Sequence, residues 1–337
     1  MNDNVIAIDL AKNVFHAVVL NPHGKEKIRR KIKRHQVLDF VLKQDVNIVV
    51  FEACGSAHHW GRLFRKHNLK VFLLPPQHVT AYLRGQKNDF NDALAIGEAY
   101  MHGRINSVPV KSCEQQTDQA FHRIRRLTSR ERGDIVRQIR GFLAEFGLVV
   151  PAGLSAFRRE VPLILEDAEN DLTVEMRELI YRQYQRMIEL DAELEWFNSR
   201  LSQKVNQDEQ IKRLVSTPGF GPVVASAFKA WLGDGKQFSK GRDASAALGI
   251  VPRQHSSGGK NVLLGITKRG DCYLRSLIIH GARSVVRAAR EKTDPLSRWI
   301  NSLVERRGKN RATVALANKL VRIAWAITVK QEAYQAV

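Results

Sequence analysis

Four acidic residues in the first hundred positions are placed so that their carboxylates could share one site. Asp9 ends a short apolar segment, and Glu52 ends a longer one. Asp89 and Asp92 are three residues apart in a predicted helix, so both face the same side of it. Clustered carboxylates repel one another unless cations neutralise them, and hard oxygen ligands suit Mg²⁺ or Mn²⁺. The set predicts a divalent metal site, of the kind in which two ions stabilise the attacking and leaving oxygens of phosphoryl transfer.

The elements that would position these carboxylates alternate between strand and helix. A strong turn signal at residues 21–24 separates the second and third strands. Strands are predicted at residues 5–9, 15–20, 27–32, 46–51 and 70–74, with helices at 36–43, 57–67 and onward to about 102. Taken singly, each acidic residue would more often be a cap or loop residue. Three hairpin-connected strands followed by helix, strand, helix and strand is the order of a ribonuclease H-like α/β domain, which we assign to residues 1–150.

From about residue 114 onward the pattern is helical. Five arginines recur at steps of 3, 4, 7 and 3, which places them on one helical face: Arg123, Arg126, Arg130, Arg137 and Arg140. The face could simply be solvated. We favour contact with phosphates, because few acidic residues neighbour the stripe.

Residues 151–206 carry a heptad-like apolar seam, interrupted at Gln183. Its members are Met176, Ile180, Met187, Leu190, Leu194, Phe197 and Leu201. The spacing predicts either a coiled-coil dimer or an intramolecular helical hairpin, and the sequence does not separate the two.

Residues 207–337 form a predicted C-terminal domain that is mainly helical. Its Pro218–Gly221 segment is similar to a helix-hairpin-helix turn, in which Gly219 and Gly221 would allow backbone N–H groups to approach a phosphate. The alternative is an ordinary glycine-rich turn between core helices. Further basic residues, Lys260, Lys268 and Arg269 among them, follow the turn.

The charge balance points to a polyanionic partner. The 54 lysines and arginines exceed the 34 aspartates and glutamates by 20, and such an excess most often indicates nucleic acid. A hydrophobic fraction of 44% excludes disorder of the whole chain. Three cysteines without a Cys-x-x-Cys pair argue against structural zinc or disulfides, and a reducing cytoplasm is expected. The sequence contains no apolar run of about 18 residues, so no membrane span is predicted.

The acidic segments resemble the three motifs of the DEDD transposases of the bacterial insertion-sequence family called IS-one-ten. The matching segments are 9–12 (DLAK), 51–55 (FEACG) and 87–93 (KNDFNDA). The C-terminal transposase domain of that family is matched by 218–221 (PGFG), 248–253 (LGIVPR), a serine before Gly258, 266–271 (ITKRGD) and 274–275 (LR). The resemblance covers nearly the whole chain and implies a Holliday-junction resolvase (RuvC-like) fold for the N-terminal domain. It implies that Asp9, Glu52, Asp89 and Asp92 bind the metal.

The same resemblance implies a mechanism and partners. Ser257 would be the nucleophile that forms a covalent serine–DNA intermediate, with Ser256 as the competing choice. Donor and target DNA would be selected by a structured noncoding bridge RNA. The protein would act as a homo-oligomer, dimer or tetramer, on the nucleoid DNA of the bacterial cytoplasm, with an active site shared between protomers. The RNA backbone would contact a basic face comprising Lys25, Lys27, Arg29, Arg30, Lys31, Lys33 and Arg34.

Two alternatives remain open at this stage. A structure-specific, metal-dependent nuclease could use the tetrad to activate water, leaving Ser257 as a loop residue. A non-catalytic basic nucleic-acid-binding protein would need neither, although it has no reason to place four carboxylates at the ends of strands.

Overall fold

The chain divides into two compact units in a computed structural model that describes residues 3–86, 88–103 and 105–335, without the side chains of Ser257 and Asn261. One unit ends at Gln116 and the other begins at Thr117. The boundaries predicted at residues 150 and 206 both fall within the second unit, where residues between Ile135 and Leu190 pack around a core of their own.

The N-terminal unit is built on a mixed five-stranded sheet in the order β3-β2-β1-β4-β5. The strands are β1 (Val5–Asp9), β2 (Val14–Leu20), β3 (Glu26–Lys33), β4 (Ile48–Glu52) and β5 (Lys70–Leu74). The first three are antiparallel, whereas β4 and β5 run parallel to β1. The predicted mixed α/β fold is confirmed, and this strand order fits a ribonuclease H-like domain.

A capped turn joins the second and third strands. The side chain of Asn21 accepts hydrogen bonds from the backbone N–H groups of His23 and Lys25, and Gly24 adopts a positive φ of 79°. This closes the predicted turn between β2 and β3. The strand β3 lies at the edge of the sheet, and most of its side chains are exposed.

Helices cover both faces of the sheet. They are α1 (Val37–Leu42), α2 (Ala57–Lys66), α3 (Pro76–Val79) and α4 (Asp89–Met101). One face packs with α1 and α2 around Phe15, Phe51 and Phe64. The other packs with α4, which approaches the sheet closely at Gly97: a Cβ there would lie 2.5 Å from Cδ1 of Leu20. Glycine at that position therefore lets α4 lie directly on β1 and β2.

Between residues 117 and 335, the regular secondary structure of the second unit is helical apart from one hairpin. Its helices are α5 (Cys113–Glu145, which begins in the first unit), α6 (Leu154–Glu166), α7 (Val174–Gln207), α8 (Glu209–Val215), α9 (Pro222–Leu232), α10 (Gly241–Ala247), α11 (Cys272–Ala288), α12 (Pro295–Arg307) and α13 (Lys309–Lys330). The strands β6 (Pro252–Ser257) and β7 (Lys260–Ile266) form a separate two-stranded ribbon.

The apolar seam of α7 is buried inside this unit. Ile180, Met187 and Leu190 pack with residues of α5 and α6, such as Ile139 and Phe157. Tyr184 takes the buried position next to the polar gap at Gln183. Of the two arrangements that the sequence left open, the structure has intramolecular packing, so this seam does not support a coiled-coil dimer.

The C-terminal core forms around α9, α11 and α13. By length and composition α13 could cross a membrane, but half of its most apolar window is buried inside the protein. Leu316, Leu320 and Ala324 of this helix are fully buried in the core. Burial of that kind is typical of a core helix.

Candidate active site

The first strand, the second strand and the start of α4 bring three potential metal ligands together. Asp9 is paired with His16 across the β1–β2 ladder. Nδ1 of His16 lies 3.3 Å from Oδ2 of Asp89. Ligand atoms of Asp9, His16 and Asp89 all lie within 4.8 Å of one another, and among the described residues they form the candidate metal-binding group.

The position of α4 is set by its cap. Oδ1 of Asn88 accepts hydrogen bonds from the N–H groups of Phe90 and Asn91, so Asn88 is the N-cap and the helix begins at Asp89. Asp92 lies in the same first turn and is half-buried. Its Oδ1 atom is buried and has no hydrogen-bond partner among the described residues. A buried carboxylate oxygen without a partner is unfavourable and suits a cation as its ligand.

Glu52 ends the strand beside Asp9. Ile8 and Phe51 are paired in the parallel β1–β4 ladder, and Asp9 and Glu52 are the next residue on each strand. Desolvation raises the pKa of the nearby Cys54 thiol, and the charges of Glu52 and Asp9 raise it further. Both carboxylates thus raise the pKa of the same thiol, as expected if the two lie at the same end of the sheet.

The residues present fit a divalent cation. Asp9 and Asp89 offer oxygen ligands in this group, whereas Glu52 and Asp92 of the predicted tetrad are not part of it. Asp92 lies one turn along α4 from Asp89. His16 adds an imidazole nitrogen, which Mn²⁺ accepts more readily than Mg²⁺ does.

His16 is the residue that sequence reasoning missed. Within β2 it reads as one polar position in an apolar strand. The available signal was the hairpin register: pairing Val5 with Leu20 places His16 opposite Asp9. The ring of Phe90 packs edge-on against the imidazole, with centroids 4.7 Å apart, and the side chain of His16 is only 10% exposed.

The basic edge strand continues the row that contains the carboxylates. Lys31 is paired with His16, which is paired with Asp9, and directly paired residues project from the same face of a sheet. The face that carries the acidic group therefore also presents a lysine two strands away. Such a lysine is suited to hold a phosphate near the candidate metal site.

The remaining predicted residues on this strand and its turn fall into two groups. Arg29 is paired with Glu26, Lys27 donates to Asn4, and Arg34 donates to the carbonyl of Lys12. Among the described residues, the other four make no side-chain hydrogen bond or ion pair, and all are exposed: Lys25, Arg30, Lys31 and Lys33.

The arginine stripe of α5 is less uniform than its spacing indicates. Arg123, Arg126, Arg130 and Arg137 are exposed. Asp134 forms ion pairs with Arg130, at 3.7 Å, and with Arg137, so the expectation of few acidic partners is wrong for these two.

Arg140 at the end of the stripe is a structural residue. Its guanidinium donates to the carbonyls of Val150 and Gly153, at 2.6 and 3.0 Å. These bonds tie the loop before α6 to α5. Arg123 and Arg126 remain the exposed members of the stripe without an ion pair among the described residues.

The Pro218–Gly221 turn joins α8 to α9, and its two glycines differ. Gly219 has a φ of 79°, and a Cβ there would lie 2.8 Å from the carbonyl oxygen of Gly281 in α11. This glycine is required for close packing against a helix, which is the alternative that the sequence left open. Gly221 is exposed, precedes α9 and has open space where a Cβ would be.

The predicted nucleophile lies at the end of β6. The backbone of Ser257 pairs with Lys260 across a two-residue turn, Gly258-Gly259, in which both φ values are positive. The side chain of Ser257 lies outside the described part of the structure, whereas Ser256 is exposed. The segment is therefore a tight hairpin rather than the flexible loop that its composition alone would favour. Lys260 is exposed at the turn, and Lys268 and Arg269 are exposed where the hairpin ends.

Comparisons with known proteins agree on one family. Residues 6–147 match a DEDD transposase model of the IS110 group, and residues 211–296 match the model described as Transposase IS116/IS110/IS902 family. The chain is 41% identical to "Transposase for insertion sequence element IS1111A" of Coxiella burnetii, over 98% of this chain and 91% of the relative. It is 42% identical to "Probable family 20 transposase" of Pseudomonas aeruginosa over 99% of both chains. A transposase for insertion sequence element IS1328 of Yersinia enterocolitica is 36% identical over 98% of both chains.

This chain belongs to the Transposase IS116/IS110/IS902 family. The resemblance inferred from the acidic motifs is confirmed, and so is the prediction of a DNA transposase as the enzyme class. The alternative of a non-catalytic basic protein is therefore not supported. The two matched segments, 6–147 and 211–296, cover the predicted catalytic tetrad and the predicted serine.

Proposed function

We propose that this transposase exchanges DNA strands through a covalent serine–DNA intermediate. Oγ of Ser257 attacks a phosphodiester: the Oγ–P bond forms as the bond from phosphorus to the 3′ oxygen breaks. The hydroxyl loses its proton, and the departing 3′ oxygen gains one. Membership in the family supports this proposal, together with a serine carried on a tight glycine turn, where the backbone can approach DNA closely.

The acidic group would hold one or more divalent cations, Mg²⁺ or Mn²⁺, through Asp9, Glu52, Asp89 and Asp92. When bound, such a cation stabilises negative charge on phosphoryl oxygens. His16 would add an imidazole nitrogen beside Asp89, 3.3 Å away, and Lys31, on the same face, would attract the phosphate backbone toward the group. The convergence of Asp9, His16 and Asp89 is the observation that carries this part of the proposal.

The chemistry can be tested by trapping the intermediate. Wild-type protein, incubated with DNA from the ends of the element and RNA transcribed from its flanking DNA, should give a protein–DNA adduct that survives denaturation, and Ser257→Ala should give none. Ser256→Ala is the matched control, one residue away on the same exposed strand, and should retain the adduct. If Ser256→Ala alone abolishes the adduct, the nucleophile is misassigned.

Water attack is the second candidate mechanism. It is favoured if Ser257→Ala cleaves DNA at the wild-type rate without an adduct. The carboxylates would then be sufficient for catalysis, and Asp9→Asn should remove cleavage in either mechanism.

A structured noncoding RNA is the proposed guide, acting with the transposase on nucleoid DNA in the cytoplasm. The exposed cations Lys25, Arg30, Lys31 and Lys33 would contact its backbone, because such contacts position a nucleic acid without reading its sequence. Purification of the protein with RNA transcribed from the flanking DNA, and loss of that RNA when these four residues become glutamine, would support the guide. Recombination by RNA-free protein would exclude it.

The proposed oligomer is a dimer or tetramer in which protomers share active sites. Complementation tests this arrangement: mixing Ser257→Ala protein with Asp9→Asn protein should restore part of the activity that each lacks. No recovery in mixed samples that form oligomers would mean that each site is built from one chain.

A further inference from the structure

The hairpin of β6 and β7 is a two-stranded ribbon whose residues are exposed on both faces. Side chains along β6, from Pro252 to Ser256, are exposed, and so are Val262, Leu263 and Leu264 of β7, at 47%, 67% and 50%. A contiguous exposed apolar patch often marks an interaction site. A two-stranded hairpin alone is also only marginally stable in water. The ribbon is therefore suited to a partner that covers it.

The charge of this segment shows what kind of partner fits. No aspartate or glutamate occurs from residue 244 to residue 270, while Arg253, Lys260, Lys268 and Arg269 all lie in that interval. In a chain with 34 acidic residues, this gap leaves the ribbon and its base with positive charges and no negative ones. A polyanion is complementary to it, whereas a second copy of the same basic ribbon would be repelled.

The base of the ribbon is held firmly to the C-terminal core. Nη1 of Arg275 donates to the carbonyls of Leu248 and Arg269, at 3.0 and 2.8 Å. The N–H groups of Thr267 and Lys268 donate to the carbonyls of Val251 and Gly249, in the segment just before β6. A clamped base and a two-residue turn at the tip give a stiff arm that can enter a groove with little loss of conformational entropy.

We infer that this ribbon inserts into the major groove of B-form DNA. That groove is wide enough for an α-helix or a two-stranded ribbon, and thymine presents its methyl group there to apolar side chains. Val262 and Leu264 alternate onto one face and Leu263 onto the other, so either face can contact methyl groups. Arg253 and Lys260 are placed to reach the phosphates that line the groove.

The same geometry argues against an A-form helix as the occupant. The major groove of double-stranded RNA is deep and too narrow for side chains to read. An RNA–DNA hybrid approaches that form. The inference deepens the proposed function, on which it rests for the role of Ser257, and assigns the ribbon to duplex DNA beside the strand that is cut.

The first experiment measures binding of the full-length protein to a short DNA duplex from the flank of this gene. Arg253→Gln/Lys260→Gln should reduce the slope of log affinity against log salt by about 1.8, because each lost phosphate contact lowers it by about 0.9. Lys236→Gln/Lys292→Gln removes two exposed lysines elsewhere in the same unit and should leave the slope unchanged. Equal slopes for both double variants would overturn the proposal.

The second experiment asks which groove is occupied. Replacing thymine with uracil removes one methyl group per base and should weaken wild-type binding by about fourfold for each methyl contacted. Val262→Ala/Leu263→Ala/Leu264→Ala, which removes the apolar side chains from both faces, should bind thymine and uracil duplexes equally well. If both proteins lose the same affinity on the uracil duplex, the apolar residues do not contact the major groove. An RNA duplex of the same sequence that competes as well as DNA would assign the ribbon to A-form helices instead.

These tests measure affinity and are independent of the covalent chemistry. A transposase with normal adduct formation by Ser257 and no change in binding by the ribbon variants would refute the ribbon alone. Loss of the thymine effect in the ribbon variant, with adduct formation unaffected by Ser257→Ala, would refute the proposed nucleophile and leave the ribbon in place.

Discussion

The close packing of α4 on the sheet should control the metal site, and Gly97→Ala tests this directly. A Cβ at Gly97 would lie 2.5 Å from Cδ1 of Leu20 and 3.2 Å from Cβ of Ala7. Both neighbours are fully buried. The end of Leu20 can rotate, but Cβ of Ala7 is fixed to β1, so the helix must move outward by a few tenths of an ångström.

Two opposing contributions set the change in the free energy of unfolding. Alanine is favoured over glycine within a helix by about 1 kcal/mol, and overpacking a filled core costs about 1–3 kcal/mol. The net expected loss is about 0–2 kcal/mol. Because Asp89 and Asp92 move with the helix, the effect on catalysis should be larger than the effect on stability. A displacement of ~1 Å lowers a catalytic rate by ~100-fold, so half of that displacement should lower the cleavage rate by about tenfold.

The assay pairs urea unfolding with metal-dependent DNA cleavage under conditions where each protein is folded. Gly141→Ala is the control, since this glycine is exposed in α5 and has no atom within 4 Å of the added Cβ. It should gain up to about 1 kcal/mol of stability and cleave normally. If Gly97→Ala is stabilised to the same degree and cleaves at the wild-type rate, the close approach of α4 does not position the carboxylates.

Three further predictions concern single residues. Burial lowers the pKa of His122 to about 4 from its ordinary value near 6.5, so the free energy of unfolding should fall as the pH drops from about 6.5 toward 4. His122→Gln should reduce this fall by up to about 3 kcal/mol, which unfolding at several pH values would measure. Gly219→Ala should cost about 2 kcal/mol or more in the free energy of unfolding, because its φ is 79° and Gly281 blocks a Cβ, whereas Gly221→Ala should cost little; equal losses would contradict the assignment. His16→Gln should weaken Mn²⁺ binding by about 10–100-fold in calorimetry, and an unchanged affinity would remove His16 from the site.

The N-terminal fold was predictable because its strands are apolar and its turns are chemically marked. The predicted strands at 5–9 and 70–74 coincide with β1 and β5, and the turn at Asn21 to Gly24 is where Asn21 caps the backbone. The acidic residues could be found for the same reason, since a carboxylate that ends an apolar strand stands out. Local signals of this kind do not depend on tertiary contacts.

The structural features that the sequence did not reveal depend on pairing between distant residues. The ribbon was missed because its strands lack polar alternation and are exposed on both faces, although the Gly-Gly dipeptide at 258–259 is a hairpin signal. The sequence did not show what the apolar seam of α7 packs against, because an apolar stripe does not specify whether its partner is the same chain or another. Only the positions of α5 and α6 decide that question.

Not all of the positive charge of the chain is available to bind nucleic acid, because several arginines donate hydrogen bonds within the protein. Arg177 donates to the carbonyls of Ile164, Leu165, Asn170 and Leu172, around the end of α6. Terminal carbonyls of a helix have no partner within it, and a guanidinium with five donors satisfies several at once. Replacing Arg177 with lysine would keep the charge but not the fork of donors, so it should lower stability.

Replacing arginine with lysine keeps the positive charge but removes the guanidinium donors, so it identifies arginines whose hydrogen bonds support the fold. Arg177→Lys should reduce the free energy of unfolding by about 1–3 kcal/mol, since buried carbonyls lose their donors, and should leave the salt slope of DNA binding unchanged. Arg123→Lys, at an exposed position without an ion pair among the described residues, should change neither quantity, because lysine also contacts phosphate. Arg123→Gln should then reduce the salt slope by about 0.9 without affecting stability. If Arg177→Gln lowered the slope by as much as Arg123→Gln does, the guanidinium would be a nucleic-acid contact, and its bonds to the end of α6 would not be its main role.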